Sequence, residues 1–183
     1  MMKKYYSWDD IEKAANKIIA QMCKDKWYPD YIVGITRGGL PLALLLSHKL
    51  NIRMETLKVK LRDCFKGEDC ESNCWMSEDA FGYNNESETG ITGSRWDISL
   101  RNNILIVDDI NDTGATFNWI KKDWQGSCLP DEDSWNTVWG NNVRFAVMTE
   151  NLGSEFTDVN YYYDEVNKSE DDVWLVYPYE ASK

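Results

Sequence analysis

Three aspartates stand close together in the segment ILIVDDINDTGAT, which covers residues 104–116. Asp108 and Asp109 follow four apolar residues, and Asp112 precedes the tetrapeptide Thr-Gly-Ala-Thr. The apolar residues predict a buried strand, and the tetrapeptide predicts a turn and the start of a helix. Backbone amides at a helix N-terminus bind phosphate. We therefore expect residues 112–116 to bind a phosphate, and the two aspartates before them to bind hydroxyl groups, a divalent cation or both.

The combination of two carboxylates with a turn that binds phosphate, here called the phosphate turn, limits the class of ligand that the site can bind. A phosphorylated sugar offers hydroxyl groups and a phosphate together, and Mg²⁺ can bridge carboxylate and phosphate oxygens. Aspartates also cluster at strand ends in response-regulator receivers, but there the acidic pair lies near the first strand and Thr-Gly-x-Thr does not follow a central strand. The complete pattern is therefore more specific than its acidic residues alone.

A glycine-rich turn earlier in the chain has the chemistry of a second anion site. In GITRGG, residues 34–39, Arg37 offers a planar guanidinium with a permanent charge. Gly38 and Gly39 allow backbone amides to approach phosphate oxygens closely. Arg-Gly-Gly is more often an ordinary turn than a binding site, so its position before the main motif is what favours a functional role.

Alternating helices and strands would position both turns. The pattern predicts helices over residues 8–24 and 40–50, and a third over residues 113–124. Strands are predicted at DYIVGI, METLKVKL, NNILIVDD, NVRFAVMTE and DVWLVYP. This order is typical of an α/β fold, in which helices cover a parallel sheet and ligands bind beyond the carboxyl ends of the strands.

The composition excludes several classes of protein. The chain has 183 residues, with 20 basic and 31 acidic side chains, and this negative balance disfavours a nucleic acid partner. The longest apolar run, GLPLALLLSHKL, is too short to cross a membrane, and the N-terminus lacks the apolar core of a secretion signal. We therefore expect a cytoplasmic protein that does not associate with membranes. Its five cysteines are expected to be reduced thiols, because their number is odd and no secretion signal is recognised. The spacing of Cys64, Cys70 and Cys74 does not fit a zinc site.

Two of these segments resemble motifs of the type I phosphoribosyltransferases. ILIVDDINDTGAT resembles their phosphoribosyl pyrophosphate (PRPP) motif, and GITRGGLPLALLLSHKL resembles their pyrophosphate loop and the following helix, especially in the bacterial xanthine-guanine branch. The resemblance implies that Asp108 and Asp109 hold the ribose hydroxyls and Mg²⁺, and that Arg37 and Gly38 bind pyrophosphate after a strained or cis Thr36–Arg37 peptide. The residues implied to bind the 5′-phosphate are Asp112, Thr113, Gly114, Ala115 and Thr116. Asp112 would also act in catalysis, by handling the proton on N7 of a purine.

The C-terminal segment DVWLVYPYE resembles the same family. It is similar to the hood strand of the xanthine-guanine-like enzymes, which carry a Trp, an aliphatic residue and then a Pro-aromatic-acid sequence. By this resemblance Trp174 would stack on a purine face, the backbone of Leu175 would read the base edge, and Glu180 would match the acid. Taken alone, a Trp at this position is more often a buried core residue.

The resemblance implies one domain over residues 1–183 with a parallel sheet, flanking helices, a flexible loop and a small C-terminal hood. The loop would correspond to residues 63–97, which are polar and show no pattern of regular structure, and the hood and C-terminal region to residues 145–183. Such a loop closes over PRPP and excludes water, although a disordered surface insertion fits the composition equally well. After closure, pyrophosphate could be contacted by Arg62, Lys66 or Arg95. The resemblance also implies a homo-oligomer.

The implied activity is transfer of the 5-phosphoribosyl group from PRPP to a purine-like base, with release of pyrophosphate and with Mg²⁺ as cofactor. The alternative is a non-catalytic regulatory protein on the same fold that senses PRPP or nucleotides. One position departs from the family. Enzymes for 6-oxo purines usually have a Lys at the end of the strand before the hood, and Glu150 or Asn151 stands there. Glu would suit an amino group such as that of adenine, whereas Asn serves either group, so the base stays open.

Overall fold

A computed structural model describes residues 2–61, 70–84, 95–128 and 132–180 of the protein. Its helices are α1 (Trp8–Asp25), α2 (Leu40–Leu50), α3 (Cys74–Phe81), α4 (Ala115–Ser127) and α5 (Glu132–Trp135). Its strands are β1 (Met2–Tyr5), β2 (Tyr31–Thr36), β3 (Met54–Lys58), β4 (Tyr83–Asn84), β5 (Arg95–Trp96), β6 (Ile104–Asn111), β7 (Val143–Asn151), β8 (Tyr161–Val166) and β9 (Val173–Val176). No helix in these ranges is long and apolar enough to span a lipid bilayer.

Five parallel strands form the central sheet, in the order β3-β2-β6-β7-β8. The three middle strands are mostly apolar and buried, because helices cover both faces of the sheet. Helices α1 and α2 pack on one face, and α3 and α4 pack on the other. This architecture confirms the predicted α/β fold with a parallel sheet and flanking helices.

Helix α1 begins at the predicted residue because Ser7 and Asp10 form a capping box. The Ser7 hydroxyl accepts a hydrogen bond from the Asp10 amide at 3.2 Å, and the Asp10 carboxylate accepts one from the Ser7 amide at 2.8 Å. The helix buries an apolar face that consists of Ile11, Ala14, Ala15, Ile18 and Met22. This face belongs to the core that also contains the inner side of the hood strand β9.

The hood is a small sheet of two strands. It consists of β9 paired in parallel with β1, for example Trp174 with Lys3, so one of its two strands comes from the N-terminus. Residues 145–183, assigned to the hood and the C-terminal region, also include most of β7 and all of β8, which run in the central sheet, where β7 is almost entirely buried. The pairing of β1 with β9 joins the two ends of the chain, and no local pattern indicates it.

The polar segment between β3 and β6 contains a helix that the sequence pattern does not predict. The Asn73 side chain caps α3 by accepting a hydrogen bond from the Met76 amide at 3.1 Å. The buried Ser77 hydroxyl donates to the main-chain oxygen of Trp124 at 2.6 Å, which joins α3 to α4. The expectation that residues 63–97 lack regular structure is therefore wrong for this part.

Other expectations for that segment fall on residues that the structure does not describe. Arg62 and Lys66 lie in residues 62–69, which are outside the described ranges, and so does the side chain of Arg95. Their contact with pyrophosphate and the closure of the loop stay predictions. The described cysteines, Cys23, Cys70, Cys74 and Cys128, are free thiols, as the sequence predicts.

Candidate functional site

The carboxyl-terminal half of β6 and the hood strand border a cavity of about 300 Å³. The cavity is lined by residues 108–117 and 59–61 and by Lys168, Trp174, Leu175, Tyr177 and Glu180. The lining includes Asp108, Asp109, residues 112–116, Trp174 and Leu175, all of which the sequence predicts as site residues, whereas Arg37 and Gly38 are not among the described lining residues. The structure therefore brings the acidic pair, the phosphate turn and the hood tryptophan around one space.

The turn over residues 112–116 is shaped by a glycine and supported by the loop after β7. Gly114 has a φ of +86°, a left-handed conformation that favours glycine, and it begins α4 without a capping side chain. A Cβ atom on Gly114 would lie 2.5 Å from the Phe156 amide nitrogen. The Glu155 amide also donates to the Thr113 carbonyl at 3.2 Å. The turn is thus held in place at the N-terminus of α4, where the helix dipole attracts anions.

The acidic pair lies inside β6 rather than at its end, because the strand continues to Asn111. Asp108 is 9% exposed, and its carboxylate accepts a hydrogen bond from the Asp109 amide at 2.9 Å. Burial raises the pKa of the Asp109 carboxyl above its ordinary value, and the charge of Glu180 acts in the same direction. A bound cation would oppose both effects, because a positive charge favours the ionised carboxylate.

These two carboxylates have the chemistry of a partial magnesium site. Mg²⁺ is usually held by one or two carboxylates together with water and the phosphates of a substrate. Asp108 and Asp109 supply that number of carboxylates beside a phosphate turn. Across the described ranges, no group of three or more Asp, Glu, His or Cys side chains could hold a metal ion. A cation at this pair would therefore take further oxygen ligands from the substrate and from water.

The glycine-rich turn after β2 lies against the acidic pair. A Cβ atom on Gly38 would lie 2.2 Å from Oδ2 of Asp109, so a larger residue at this position would displace the Asp109 carboxylate. The Thr36–Arg37 peptide bond is cis. Arg37 is exposed and, like Gly38, is not among the described residues that line the cavity. The two turns that the sequence singles out are thus neighbours, although only the second lines the cavity.

Trp174 faces the cavity rather than the core. Its side chain is 51% exposed, whereas the next residue, Leu175, is buried, so the interpretation of Trp174 as a core residue is wrong. Tyr177 stacks on Tyr6 with ring centroids 5.2 Å apart, and its hydroxyl donates to the main-chain oxygen of Asp109 at 3.2 Å. These contacts attach the hood to β6 and hold an aromatic face beside the phosphate turn.

Glu150 and Asn151 do not take the place beside a base that the resemblance suggests. Neither lines the cavity among the described residues. Glu150 is 8% exposed, and its Oε1 accepts a hydrogen bond from the Asn111 amide at 2.9 Å. The Asn151 amide donates to the main-chain oxygen of Asp112 at 2.7 Å. Both side chains therefore support the phosphate turn from below the surface, and placing either of them against a base is wrong.

Lys168 is a cavity residue that the sequence analysis does not identify. It lies in the connection between β8 and β9, and its Nζ is 2.9 Å from Oδ1 of Asp112. No spacing in the sequence signals this contact, because the two residues are far apart in the chain and the fold alone brings them together. The structure thus supplies a cation near the predicted catalytic aspartate.

The buried Glu150 carboxyl makes the stability of the protein dependent on pH. Burial raises its pKa from 4.5 to about 7, and the Asn111 hydrogen bond opposes this rise only in part. Ionisation in the folded state therefore costs free energy, and this cost grows between pH 4.5 and about 7 and is constant above that range. We expect Glu150→Gln to be up to about 3 kcal/mol more stable than the unaltered chain above pH 7, with a smaller difference near pH 5.

Urea unfolding between pH 5 and pH 8 measures this difference. Glu165→Gln is the matched control, because Glu165 pairs with Glu150 across β7 and β8 but is exposed. Its unfolding free energy should follow the pH dependence of the unaltered chain. If the unfolding free energies of Glu150→Gln and of the unaltered chain change with pH in the same way, the assignment of Glu150 as a buried acid with a raised pKa is contradicted.

Comparison with known proteins shows the family of this chain. The family model for the phosphoribosyl transferase domain matches residues 1–180. The chain is 25% identical over 192 aligned positions to hypoxanthine-guanine phosphoribosyltransferase from Schizosaccharomyces pombe, across 97% of this chain and 88% of that one. It is 28% identical over 123 residues to xanthine-guanine phosphoribosyltransferase from Cereibacter sphaeroides, across 64% of this chain and 62% of the relative, less than two thirds of its length.

The fold is shared with solved structures. A purine phosphoribosyltransferase from Pyrococcus horikoshii superposes with a TM-score of 0.63 at 21% identity, across 100% of this chain and 97% of that one. This likeness shows that the fold is shared. A shared fold does not identify the ligand, which has to be inferred from the residues of the site. The resemblance drawn from the three motifs is confirmed. Because the family model matches nearly the whole sequence, the chain belongs to the phosphoribosyltransferase family of transferases.

Proposed function

We propose that this protein transfers the 5-phosphoribosyl group from PRPP to a purine-like base and releases pyrophosphate. The observation that carries the proposal is the shared cavity of about 300 Å³. Its lining combines the acidic pair Asp108 and Asp109, the turn over residues 112–116 and the ring of Trp174. Each of these groups suits a different part of the two substrates.

The phosphate turn and the acidic pair suit the phosphoribosyl group. The 5′-phosphate would accept hydrogen bonds from the amides at the start of α4 and from the hydroxyls of Thr113 and Thr116. The carboxylates of Asp108 and Asp109 would accept hydrogen bonds from the ribose hydroxyls. Mg²⁺ held by this pair would neutralise the departing pyrophosphate. Arg37, which directly precedes the Gly38 packed on Asp109, is the candidate partner for that anion once a ligand extends towards it.

The reaction needs an acceptor for a proton and a surface for the base. A base nitrogen attacks C1 of the ribose while the bond from C1 to the pyrophosphate oxygen breaks. The base then carries one proton too many, and Asp112 is the group that would accept it. Trp174 would hold the base in line for attack by stacking on its face. A sensor of PRPP needs no acceptor for a base proton, so a role of Asp112 in turnover would separate the enzyme from the regulatory alternative.

Replacing Trp174 with Ala should weaken binding of the base and leave binding of PRPP unchanged. Stacking on an aromatic side chain contributes about 1–3 kcal/mol for each base, so KM for the base should rise about 5- to 150-fold. Steady-state kinetics with each substrate varied in turn measures both effects. Trp96→Ala is the control, because Trp96 is 53% exposed but lies on β5, outside the cavity lining. An unchanged KM for the base would remove Trp174 from the base site.

Isothermal titration calorimetry with PRPP tests the site on which the proposed function depends. We expect binding in the presence of Mg²⁺, and a loss of affinity of about tenfold or more when Asp109→Asn removes one of the two carboxylates. Asp171→Asn, an exposed acid outside the cavity lining, should bind PRPP like the unaltered chain. Absence of PRPP binding by the unaltered chain with Mg²⁺ would contradict the proposed function.

A further inference from the structure

We propose that Asn111 is a positioning residue of this site, which fixes the phosphate turn through the loop after β7 and thereby sets the affinity for PRPP. The loop after β7 covers residues 152–160. The inference rests on the proposed function, because it takes PRPP as the ligand of the turn. It goes further by assigning a role to a buried side chain that takes no part in the proposed reaction.

The side chain of Asn111 is a buried junction with three hydrogen bonds. It lies at the carboxyl end of β6 and is 2% exposed. Its amide donates to Oε1 of Glu150 at 2.9 Å and to the main-chain oxygen of Phe156 at 2.8 Å. Its side-chain oxygen accepts a hydrogen bond from the Ser154 hydroxyl at 3.1 Å. Because protein groups occupy both amide hydrogens and the oxygen, Asn111 holds other residues in place rather than contacting a substrate, although it belongs to the cavity lining.

The two loop residues that Asn111 holds are the ones against which Gly114 packs. A Cβ atom on Gly114 would lie 2.5 Å from the Phe156 amide nitrogen and 3.0 Å from the Ser154 hydroxyl oxygen. The same hydroxyl accepts a hydrogen bond from the Phe156 amide at 3.2 Å, which ties the two residues together. One buried amide therefore fixes both groups that face the glycine of the phosphate turn.

The loop after β7 connects the central sheet to the phosphate turn. On the side of the sheet, Asn111 and Glu150 are register partners on β6 and β7, so their side-chain hydrogen bond anchors the junction there. On the side of the turn, the Glu155 amide donates to the Thr113 carbonyl at 3.2 Å. Amides bind a phosphate well only when they point at one position, so the residues that fix the turn influence affinity without touching the ligand.

PRPP binding by Asn111→Ala tests this inference. The change removes three hydrogen bonds, and calorimetry with PRPP and Mg²⁺ should show an affinity about tenfold lower. Asn142→Ala is the matched control. The Asn142 amide also donates to two main-chain oxygens, those of Ala80 at 2.8 Å and Asn102 at 2.9 Å, but Asn142 lies before β7, at the other end of that strand. This variant should bind PRPP like the unaltered chain, even where its Tm is lower.

Hydrogen exchange of the Glu155 amide measures the positioning without a ligand. This amide is bonded to the Thr113 carbonyl, so its protection reports the contact between the loop after β7 and the phosphate turn. We expect exchange about tenfold faster in Asn111→Ala, and an unchanged rate in Asn142→Ala. Nuclear magnetic resonance of the three proteins without ligand gives this comparison.

The outcomes separate this inference from the proposed reaction. Normal PRPP affinity or unchanged Glu155 exchange in Asn111→Ala would overturn the role of Asn111. An equal loss of affinity in Asn142→Ala would overturn it as well, because general destabilisation would then explain the effect. A chain that binds PRPP in a way that depends on Asn111 but releases no pyrophosphate with any base would support the role of Asn111 and contradict the proposed reaction. If Asn111→Ala does not fold, Ser154→Ala replaces it, because it removes one hydrogen bond of the same junction.

Discussion

Replacement of Asp112 with Asn is expected to lower kcat by about 10²- to 10⁴-fold and to change the affinity for PRPP only slightly. The carboxylate of Asp112 lines the cavity, 2.9 Å from the Lys168 ammonium. Asn cannot accept the proton that the base releases. The hydrogen bond that holds this part of the turn uses the main-chain oxygen of Asp112, as the acceptor for Asn151, so the substitution leaves the phosphate turn intact.

Steady-state kinetics and PRPP calorimetry on the same protein separate the two effects. Asp158→Asn is a matched control, because Asp158 also pairs with a lysine, Lys121 at 3.0 Å, but lies outside the cavity lining. Its kcat should equal that of the unaltered chain. A normal kcat in Asp112→Asn would exclude Asp112 from proton transfer. An equal loss of kcat and of PRPP affinity would show that the carboxylate acts in binding.

Replacement of Gly114 with Ala is expected to weaken PRPP binding by more than about tenfold and to lower Tm by several degrees. A left-handed backbone costs about 1–2 kcal/mol for a residue with a Cβ atom, and Gly114 has a φ of +86°. The added methyl group would also lie 2.5 Å from the Phe156 amide nitrogen. The turn must therefore shift away from the loop after β7, and the amides that bind phosphate shift with it.

Gly140→Ala provides the control for the backbone conformation alone. Gly140 has a φ of +75°, yet a Cβ atom there would meet nothing within 4 Å. Thermal unfolding should show a smaller loss of Tm for Gly140→Ala, and calorimetry should show unchanged PRPP affinity. If the two variants bind PRPP equally well, the close contact with Phe156 does not hold the phosphate turn.

The central sheet and the main motif could be predicted from the sequence because each is encoded locally. Strands β2, β6 and β7 are nearly continuous apolar runs, which is the pattern of parallel strands buried on both faces. The phosphate turn follows β6 directly, so its position beside the acidic pair needs no long-range contact. The sequence pattern ends β6 at Asp109, which is too early, because Ile110 and Asn111 continue the pairing with β7.

The parts that the sequence did not predict depend on contacts between distant residues. The partner of β9 is the N-terminal strand β1, and β8 completes the edge of the central sheet although YYYDEV has no clear alternation. Helix α3 forms in a polar segment because Ser77 and its apolar neighbours pack on α4. Lys168 reaches Asp112 only through the fold and the Asn151 contacts. The oligomeric state, the cytoplasmic location and the closing loop stay predictions.

The central claim is that this cavity joins a purine-like base to the phosphoribosyl group of PRPP. Its most direct test is pyrophosphate release from PRPP and Mg²⁺ in the presence of hypoxanthine, guanine, xanthine, adenine and pyrimidines, each supplied separately. We predict release that depends on a purine base. PRPP binding without release from any base would contradict the claim and favour the regulatory alternative.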